Sequence, residues 1–322
     1  MRAVTVRTPG GPEVLEVTDQ PTPEPGPGEV RVDVAAAGVN FIDIYYRTGT
    51  YPMPTPFVVG SEGAGRVSAV GDGVDGVAVG DRVGWAMVPG AGYAEQVLVP
   101  ADRLVPLPDD VDEETAAASL LQGMTAHFLT RSTYPVRAGD DVLVHAAAGG
   151  MGLLLTQLAT RAGARVIGTT STAEKAELAR QAGAADVLRS DTDVAAEVRR
   201  LTGGRGVAVV YDGVGRATFD ASLDCLRTRG MMVLFGAASG PVPPFDPQVL
   251  NRKGSLFLTR PSLGHHIVTR EELLERAGDV LSWVASGELS VRVGGRYPLE
   301  GAGRAHEDLA GRRTTGKLLV VP

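Results

Sequence analysis

The chain has 322 residues, of which 43% are hydrophobic and 21% charged, so it can bury a sizeable core and is long for one domain; two are expected. Its 31 Lys+Arg against 38 Asp+Glu give a net charge of −7 with no basic cluster, which argues against a nucleic-acid partner. Cys225 is the only cysteine and the five histidines lack HxxxH or HExxH spacing, so neither a disulfide framework nor a metal centre is expected.

In chain order, residues 1–122 read as short strands divided by turn chemistry. Strands are expected at Met1–Arg7 and Leu15–Thr18, after the Pro/Gly hinge 21–28 at Val30–Ala35, and then at Gly65–Val70, Asp81–Ala86 and Ala94–Val99. That texture predicts a twisted, barrel-like sheet. Residues 113–129 turn to helical composition. From 141 to about 260 strands alternate with helices, at Val142–Ala146, Val166–Thr169, Val187–Leu188, Val207–Tyr211 and Met231–Phe235. This alternation predicts an α/β domain with a doubly wound parallel sheet. The tail carries one helix near Arg270–Ser286 and strand-like ends at Val291–Tyr297 and Lys317–Val321, and it is expected to return to the first domain. The domain boundaries are thus placed at 1–122, 123–261 and 262–322. No apolar run approaches a membrane span and the N-terminus enters a strand pattern at once, so a cytoplasmic protein with no membrane partner is expected.

The most informative stretch is DVLVHAAAGGMG at 141–152. An apolar run leads into a glycine turn and then a helical segment, the order a dinucleotide site needs. Glycines let main chain approach a pyrophosphate, whose charge is met by free amides at the helix start. Ala147 stands at the usual first glycine, giving AxGxxG, and Ala148, Gly149, Gly150, Met151 and Gly152 are the candidate phosphate cradle. About 20 residues on, where an NAD site holds an acid for the ribose hydroxyls, none is present. Ser171, Thr172 and Lys175 stand there, with Arg189 and Ser190 further along. Hydroxyls and cations suit a ribose 2′-phosphate, so NADPH is expected over NADH. Thr172 and Lys175 can equally cap and line the next helix. A single dinucleotide site argues against a flavin.

Five segments in order, AAGVNFIDIYYRTGTYP at 36–52, AAAGGMG at 146–152, VVYDGVG at 209–215, LTRPSLGHH at 258–266 and RRTTGKLLVVP at 312–322, resemble the zinc-independent quinone oxidoreductase (zeta-crystallin-like) branch of the medium-chain dehydrogenase/reductase superfamily. The similarity runs end to end and implies a β-rich GroES-like barrel domain beside a Rossmann domain. Zinc relatives use a cysteine, a Gly-His-Glu motif and further cysteines at the metal. Here Asn40 takes the first cysteine's place and Gly60-Ser61-Glu62 replaces the histidine motif, with Glu62 expected to be structural. The chemistry left is metal-free hydride transfer to an electrophilic acceptor, with the protein orienting it and excluding water.

The resemblance places residues 40–51 at the mouth of a cleft beside the nicotinamide, so Asn40, Asp43, Tyr45 and Tyr51 are the candidate catalytic set. Asn40 can donate to the acceptor oxygen or hold the cofactor's ribose and amide. Asp43 can orient Asn40 or a tyrosine, and Tyr45 or Tyr51 can stack on a ring or donate a proton. The bland alternative is that Asn40 and Asp43 cap a short helix and the tyrosines pack a turn. The family pattern adds Thr125, Gly236, Ala237, Ser239, Arg260, Pro261 and Ser262 as cofactor contacts, with Arg312 as a distal phosphate contact. Where many relatives carry a tyrosine after the third nucleotide-domain strand, this chain has Arg189-Ser190, and His266 stands where a tyrosine is common. The resemblance further implies a homodimer joined through nucleotide-domain edge strands, for which Met231–Phe235 and Ser255–Leu258 are apolar enough; both can equally be interior. The expected activity is NADPH:quinone oxidoreduction. Reduction of an enone or enal, and a non-catalytic NADPH-binding structural or sensing role, are the alternatives.

Overall fold

Valine- and alanine-rich runs broken by glycine, proline and acidic turns become strands over the first hundred residues. A computed structural model describes residues 1–322. In chain order come β1 (Arg2–Val6), β2 (Glu16–Asp19), β3 (Glu29–Val39), α1 (Phe41–Arg47), β4 (Phe57–Val58), β5 (Glu62–Val70), β6 (Arg82–Ala86), β7 (Gln96–Pro100), β8 (Val105–Pro106) and α2 (Glu113–Phe128). The alternating part follows as β9 (Asp141–Val144), α3 (Gly150–Arg161), β10 (Arg165–Thr170), α4 (Ala173–Gln181), β11 (Asp186–Arg189), α5 (Val194–Leu201), β12 (Val207–Asp212), α6 (Phe219–Cys225) and β13 (Leu226–Leu234). The chain closes with α7 (Gln248–Arg252), β14 (Phe257–Thr259), α8 (Arg270–Ala285), β15 (Val293–Tyr297), α9 (Ala302–Ala310) and β16 (Lys317–Val320).

The chain divides into two compact units, residues 1–124 with 266–322, and residues 125–265. The first holds a sheet ordered β15-β16-β3-β5-β6-β8, with β7 also paired to β3, and a small sheet β2-β1-β4. The long β3 is its spine. It runs four residues past the expected end at Ala35, because Ala36, Ala37 and Val39 are buried and their backbone pairs with β16, Leu318 opposite Val39 and Val320 opposite Ala37. That extension delivers Asn40 to the start of α1. Helix α9 escaped the sequence reading because its buried face is Ala302, Ala305, His306 and Asp308, which makes no apolar stripe.

The second unit holds one six-stranded sheet, β11-β10-β9-β12-β13-β14, and every pairing in it is parallel. Relabelled from β9, this is the order 3-2-1-4-5-6 of a doubly wound dinucleotide fold, with its switch point between β9 and β12. Its strands read VLV, VIGTT and VAVVYD, buried on both faces, as a helix-covered parallel sheet requires. β13 is an interior strand; β14 is the edge, and Phe257 on it is 56% exposed.

Candidate functional site

Apart from Thr125 in α2, the nucleotide-site candidates of the second unit stand at the carboxyl ends of its strands or in the segments that follow them. β9 passes through Ala146, held at φ +51, into Gly149, the N-cap of α3. Gly149 has no side chain to cap the helix, and no acid lies in the first turn. The first intrahelical bond runs from Leu153 N to Gly149 O, so the amides of Gly150, Met151 and Gly152 have no partner within the helix. A β-carbon at Gly152 would collide with Ala146 O and lie 2.7 Å from Ala147 Cα, so only glycine lets α3 start this close to the strand. Three such amides with a positive dipole end are a fit for a pyrophosphate.

The parallel register sets Thr170 opposite Arg189, which places Ser171 beside Ser190 at neighbouring strand ends, with Lys175 in the first turn of α4 just beyond β10. Thr172 caps α4, its hydroxyl accepting from Lys175 N at 3.2 Å, so the capping alternative holds. Arg189 grips Asp191 with two bonds of 3.0 and 2.7 Å. That pair is exposed on both sides, and exposed pairs hold on the order of 1 kcal/mol or less, so a phosphate can displace the aspartate. Ser239 is committed elsewhere. Its hydroxyl donates to Val214 O at 2.7 Å and accepts from Ala217 N at 3.0 Å, latching the loop after β13 to the loop after β12. Gly236 makes the same two loops touch, since a β-carbon there would stand 2.6 Å from Gly213 O. Ala237 lies in that turn, accepting from Gly240 N. Arg260, Pro261 and Ser262 follow β14, and the guanidinium of Arg260 donates to the Pro261 carbonyl at 3.4 Å. Thr125 is half-buried in α2.

Sequence reasoning missed a buried chain beneath the glycine loop. His145 Nδ1 meets Thr169 Oγ1 at 3.0 Å and its Nε2 meets Ser222 Oγ at 2.9 Å; Ser222 donates to Asp212 Oδ2 at 2.8 Å. Burial lowers the His145 pKa against the opposing pull of Asp212. Serine lies between histidine and aspartate, and all three are buried, so this is a brace and not a nucleophilic triad. It fixes the residue that opens the loop, because Thr169 Oγ1 also accepts from Ala146 N at 3.3 Å.

In the first unit, Asn40 and Asp43 come together at the head of α1. Asp43 Oδ2 accepts from Asn40 N at 3.0 Å, one half of a capping box. Asp43, expected in the catalytic set, is fully buried, and its oxygens also take Ser61 Oγ at 2.7 Å and Tyr93 OH at 3.2 Å. Desolvation pushes its pKa up to about 7 against those hydrogen bonds. Behind Tyr93, His306 Nε2 lies 3.1 Å from the phenol and Nδ1 lies 3.3 Å from Arg47 Nη1. Burial, and then the charge of Arg47, take the His306 pKa down to about 3, so the ring is neutral. Arginine can only donate, hence Nδ1 accepts, Nε2–H donates to Tyr93, and Tyr93 donates to Asp43. The direction of the whole chain is fixed at Arg47.

Asn40 is 4% exposed and its carboxamide is engaged on both ends. Nδ2 donates to Glu62 Oε1 at 2.7 Å and to Gly38 O at 3.3 Å; Oδ1 accepts from Lys317 Nζ at 2.7 Å and, at 3.4 Å, from Gln122 Nε2. Both amide hydrogens are therefore spent, which differs from the expectation that Asn40 could donate to an acceptor oxygen. Glu62, Lys317, Tyr93 and His306 were not picked out as site residues; the one sequence signal was a lysine opening the otherwise apolar run KLLVVP. Tyr45 and Tyr51 form an edge-to-face pair 5.2 Å apart, with Phe41 and Tyr46 alongside at 6.2 and 6.1 Å, and Tyr51 is 38% exposed. The tyrosines thus pack the turn, as the bland alternative had it, while leaving ring surface outward. Arg312 sits in the turn after α9 at φ +56, exposed, in the first unit. No group of three or more His, Cys, Asp or Glu side chains is gathered as a metal site would need.

Residues 26–109 match the alcohol dehydrogenase GroES-like domain and residues 150–279 the zinc-binding dehydrogenase domain. A quinone oxidoreductase of Pseudomonas aeruginosa is 48% identical over 315 residues, 97% of each chain. A 2-haloacrylate reductase of a Burkholderia species is 42% identical over 328 residues, 99% of this chain and 98% of that one. The mycobacterial protein Rv1454c, solved in complex with NADPH, is 54% identical with a TM-score of 0.97 across the whole of both chains. The chain belongs to the zinc-independent quinone oxidoreductase (zeta-crystallin-like) branch of the medium-chain dehydrogenase/reductase superfamily.

Proposed function

We propose that this chain is an NADPH-dependent oxidoreductase that reduces a quinone by hydride transfer without a metal. The observation that carries the reading is the glycine-only start of α3, with open amides and no acid, beside neighbouring strand ends that carry Ser171, Arg189 and Ser190, with Lys175 in the first turn of α4 and no acid at the end of β10 where a ribose 2′-hydroxyl would need one. The likeness to a protein solved with NADPH and to a named quinone oxidoreductase supports it. When bound, NADPH supplies the hydride. The protein's own work is positional: the α3 amides hold the pyrophosphate, Ser171 and Lys175 meet the 2′-phosphate, and Asn40 accepts from the nicotinamide half. Tyr45 and Tyr51 offer a ring surface on which a flat acceptor can stack. A quinone suits metal-free reduction because the incoming charge spreads onto its oxygens.

A second reading, reduction of an activated double bond, is favoured by the 2-haloacrylate reductase likeness, since that acceptor too is a conjugated electrophile. The homodimer belongs to this proposal as well, through the β14 edge and its exposed Phe257; a sedimentation run finding only monomer at micromolar concentration removes it. The deciding experiment is oxidation of NADPH and of NADH by the chelator-treated protein over a panel of quinones and enones. Fast turnover with quinones and NADPH supports the first reading, activity confined to enones the second, and NADPH binding with no turnover on any acceptor a sensing role.

A further inference from the structure

Where zinc relatives carry a cysteine and a Gly-His-Glu motif this chain carries Asn40 and Gly60-Ser61-Glu62, and the ammonium of Lys317 lies beside Asn40 and Glu62. Lys317 is 1% exposed and Glu62 is fully buried, and the two form an ion pair in which Asn40 is the third member. Four segments build the triangle: the end of β3, the start of β5, the start of β16, and α2, whose Leu121 N donates to the other Glu62 oxygen at 2.8 Å. Gly38 is its floor. A β-carbon there would collide with Glu62 Oε1 and lie 2.7 Å from Lys317 Cε.

The chemistry of the partners leaves one orientation for the Asn40 amide. An ammonium only donates and a carboxylate only accepts, so Oδ1 must face Lys317 and Nδ2 must face Glu62. A buried ion pair is weak support for stability, because desolvating both charges offsets most of their attraction. What it does enforce is direction. Beside it, Gln122 points its amide nitrogen at Asn40 Oδ1, and its own Oε1 is buried with no partner. The Gln122 bond to Asn40 Oδ1 is long at 3.4 Å, so a stronger donor can replace it; the cluster therefore offers acceptors, and the donors it suits are the ribose hydroxyls and carboxamide N–H of a nicotinamide nucleotide.

We propose that Lys317 and Glu62 are positioning residues: their buried ion pair locks the Asn40 carboxamide with its oxygen toward the ammonium, so that Asn40 meets the nicotinamide half of NADPH only as an acceptor. An organic cation thereby takes the place of a metal ion as the centre that organises the site. The inference rests on the NADPH reading above.

The test measures, for purified protein, the Kd of NADPH by nicotinamide fluorescence, the Kd of 2′,5′-ADP, which lacks the nicotinamide half, and the ligand-free Tm. The variants are Glu62→Gln/Lys317→Met, which removes both charges at nearly constant volume, Asn40→Ala, and the triple combination. Expected are a Tm near the parent's, an unchanged 2′,5′-ADP Kd, and an NADPH Kd raised about tenfold in the double variant, roughly one lost hydrogen bond. Asn40→Ala should show a similar rise, and the triple variant no more than either. A purely structural pair would leave the NADPH Kd of a folded double variant at the parental value, or its loss would multiply with that of Asn40→Ala; either result overturns the proposal. Should the double variant not fold, Glu62→Leu/Lys317→Met, which likewise leaves no unpaired buried charge, carries the same comparison. If 2′,5′-ADP does not bind the parent, the cofactor reading itself fails and takes this inference with it.

Discussion

Asp43 shows how one buried residue makes the molecule sensitive to pH. Its carboxyl sits among three donors, Asn40 N, Ser61 Oγ and Tyr93 OH, near the Lys317 charge, yet full desolvation still carries its pKa from the ordinary 3.8 to about 7. A pKa raised by folding means the folded state holds the proton more tightly than the unfolded one. The associated stability is present in full below about pH 4 and is lost as pH rises through about 7, at up to about 1.4 kcal/mol per pH unit. Urea midpoints between pH 5 and 7.5 should therefore fall with rising pH in the parent, and Asp43→Asn should flatten that part of the slope; an unchanged slope in the variant rules Asp43 out as its source. Gly152 makes a sharper single-residue case. Its missing side chain faces main chain at Ala146 and Ala147, which cannot swing aside as a side-chain tip could. Gly152→Ala should cost about 1–3 kcal/mol by overpacking and weaken NADPH binding well beyond that of an exposed glycine such as Gly278, where a β-carbon meets nothing within 4 Å. Equal NADPH Kd values for the two alanine variants would contradict this.

At the scale of elements, cofactor choice lies in two strand ends. Parallel pairing of β10 with β11 is what turns Ser171 and Arg189-Ser190, some twenty residues apart in sequence, into neighbours, and Lys175 follows in the first turn of α4. Ser171→Ala/Lys175→Ala should reduce the kcat/KM ratio of NADPH over NADH by about tenfold or more, mostly through KM for NADPH, since each charge-assisted contact to a phosphate is worth roughly 1.5–3 kcal/mol. A ratio that stays put would assign the preference elsewhere, with Arg189 the next residue to change. These strand ends were legible in the sequence because glycine turns, strand periodicity and a missing acid are local signals. So were most elements: β5, β6, β9, β10 and β12 fall on the expected runs within a few residues. The Asn40–Glu62–Lys317 triangle and the Arg47–His306–Tyr93–Asp43 chain were not legible. Their members lie on segments brought together only by sheet pairing and by the return of the tail, and nothing in the spacing of residues 40, 62 and 317 announces that they meet. Helix α1 was read only as an alternative, since seven residues headed by Asn and Asp look the same whether they cap or catalyse.

For the molecule as a whole, the order of the chain bears on how it folds. Residues 125–265 form a contiguous unit whose most distant strand pairing, Val142 with Val209, spans 67 residues, whereas the other unit needs both ends of the chain: β16 pairs with β3, placing Val320 opposite Ala37. Loop-closure entropy makes such distant contacts slow to form, so the contiguous unit should become native first. The sequence supplies separate reporters. Both tryptophans, Trp85 and Trp283, are buried in the unit built from the two ends, while Cys225, the only cysteine, is buried in the contiguous unit. Burial pushes the Cys225 thiol up to about 12, so a disulfide reagent attacks it only where the unit is open. On dilution from denaturant, protection of Cys225 should appear before native tryptophan fluorescence returns. Adding 2′,5′-ADP at 100 times its Kd should stabilise the Cys225-protected state by about 2.7 kcal/mol, while the tryptophan phase keeps its rate. Simultaneous recovery of both signals would mean that the tail's return to β3 is required for the nucleotide unit to fold at all.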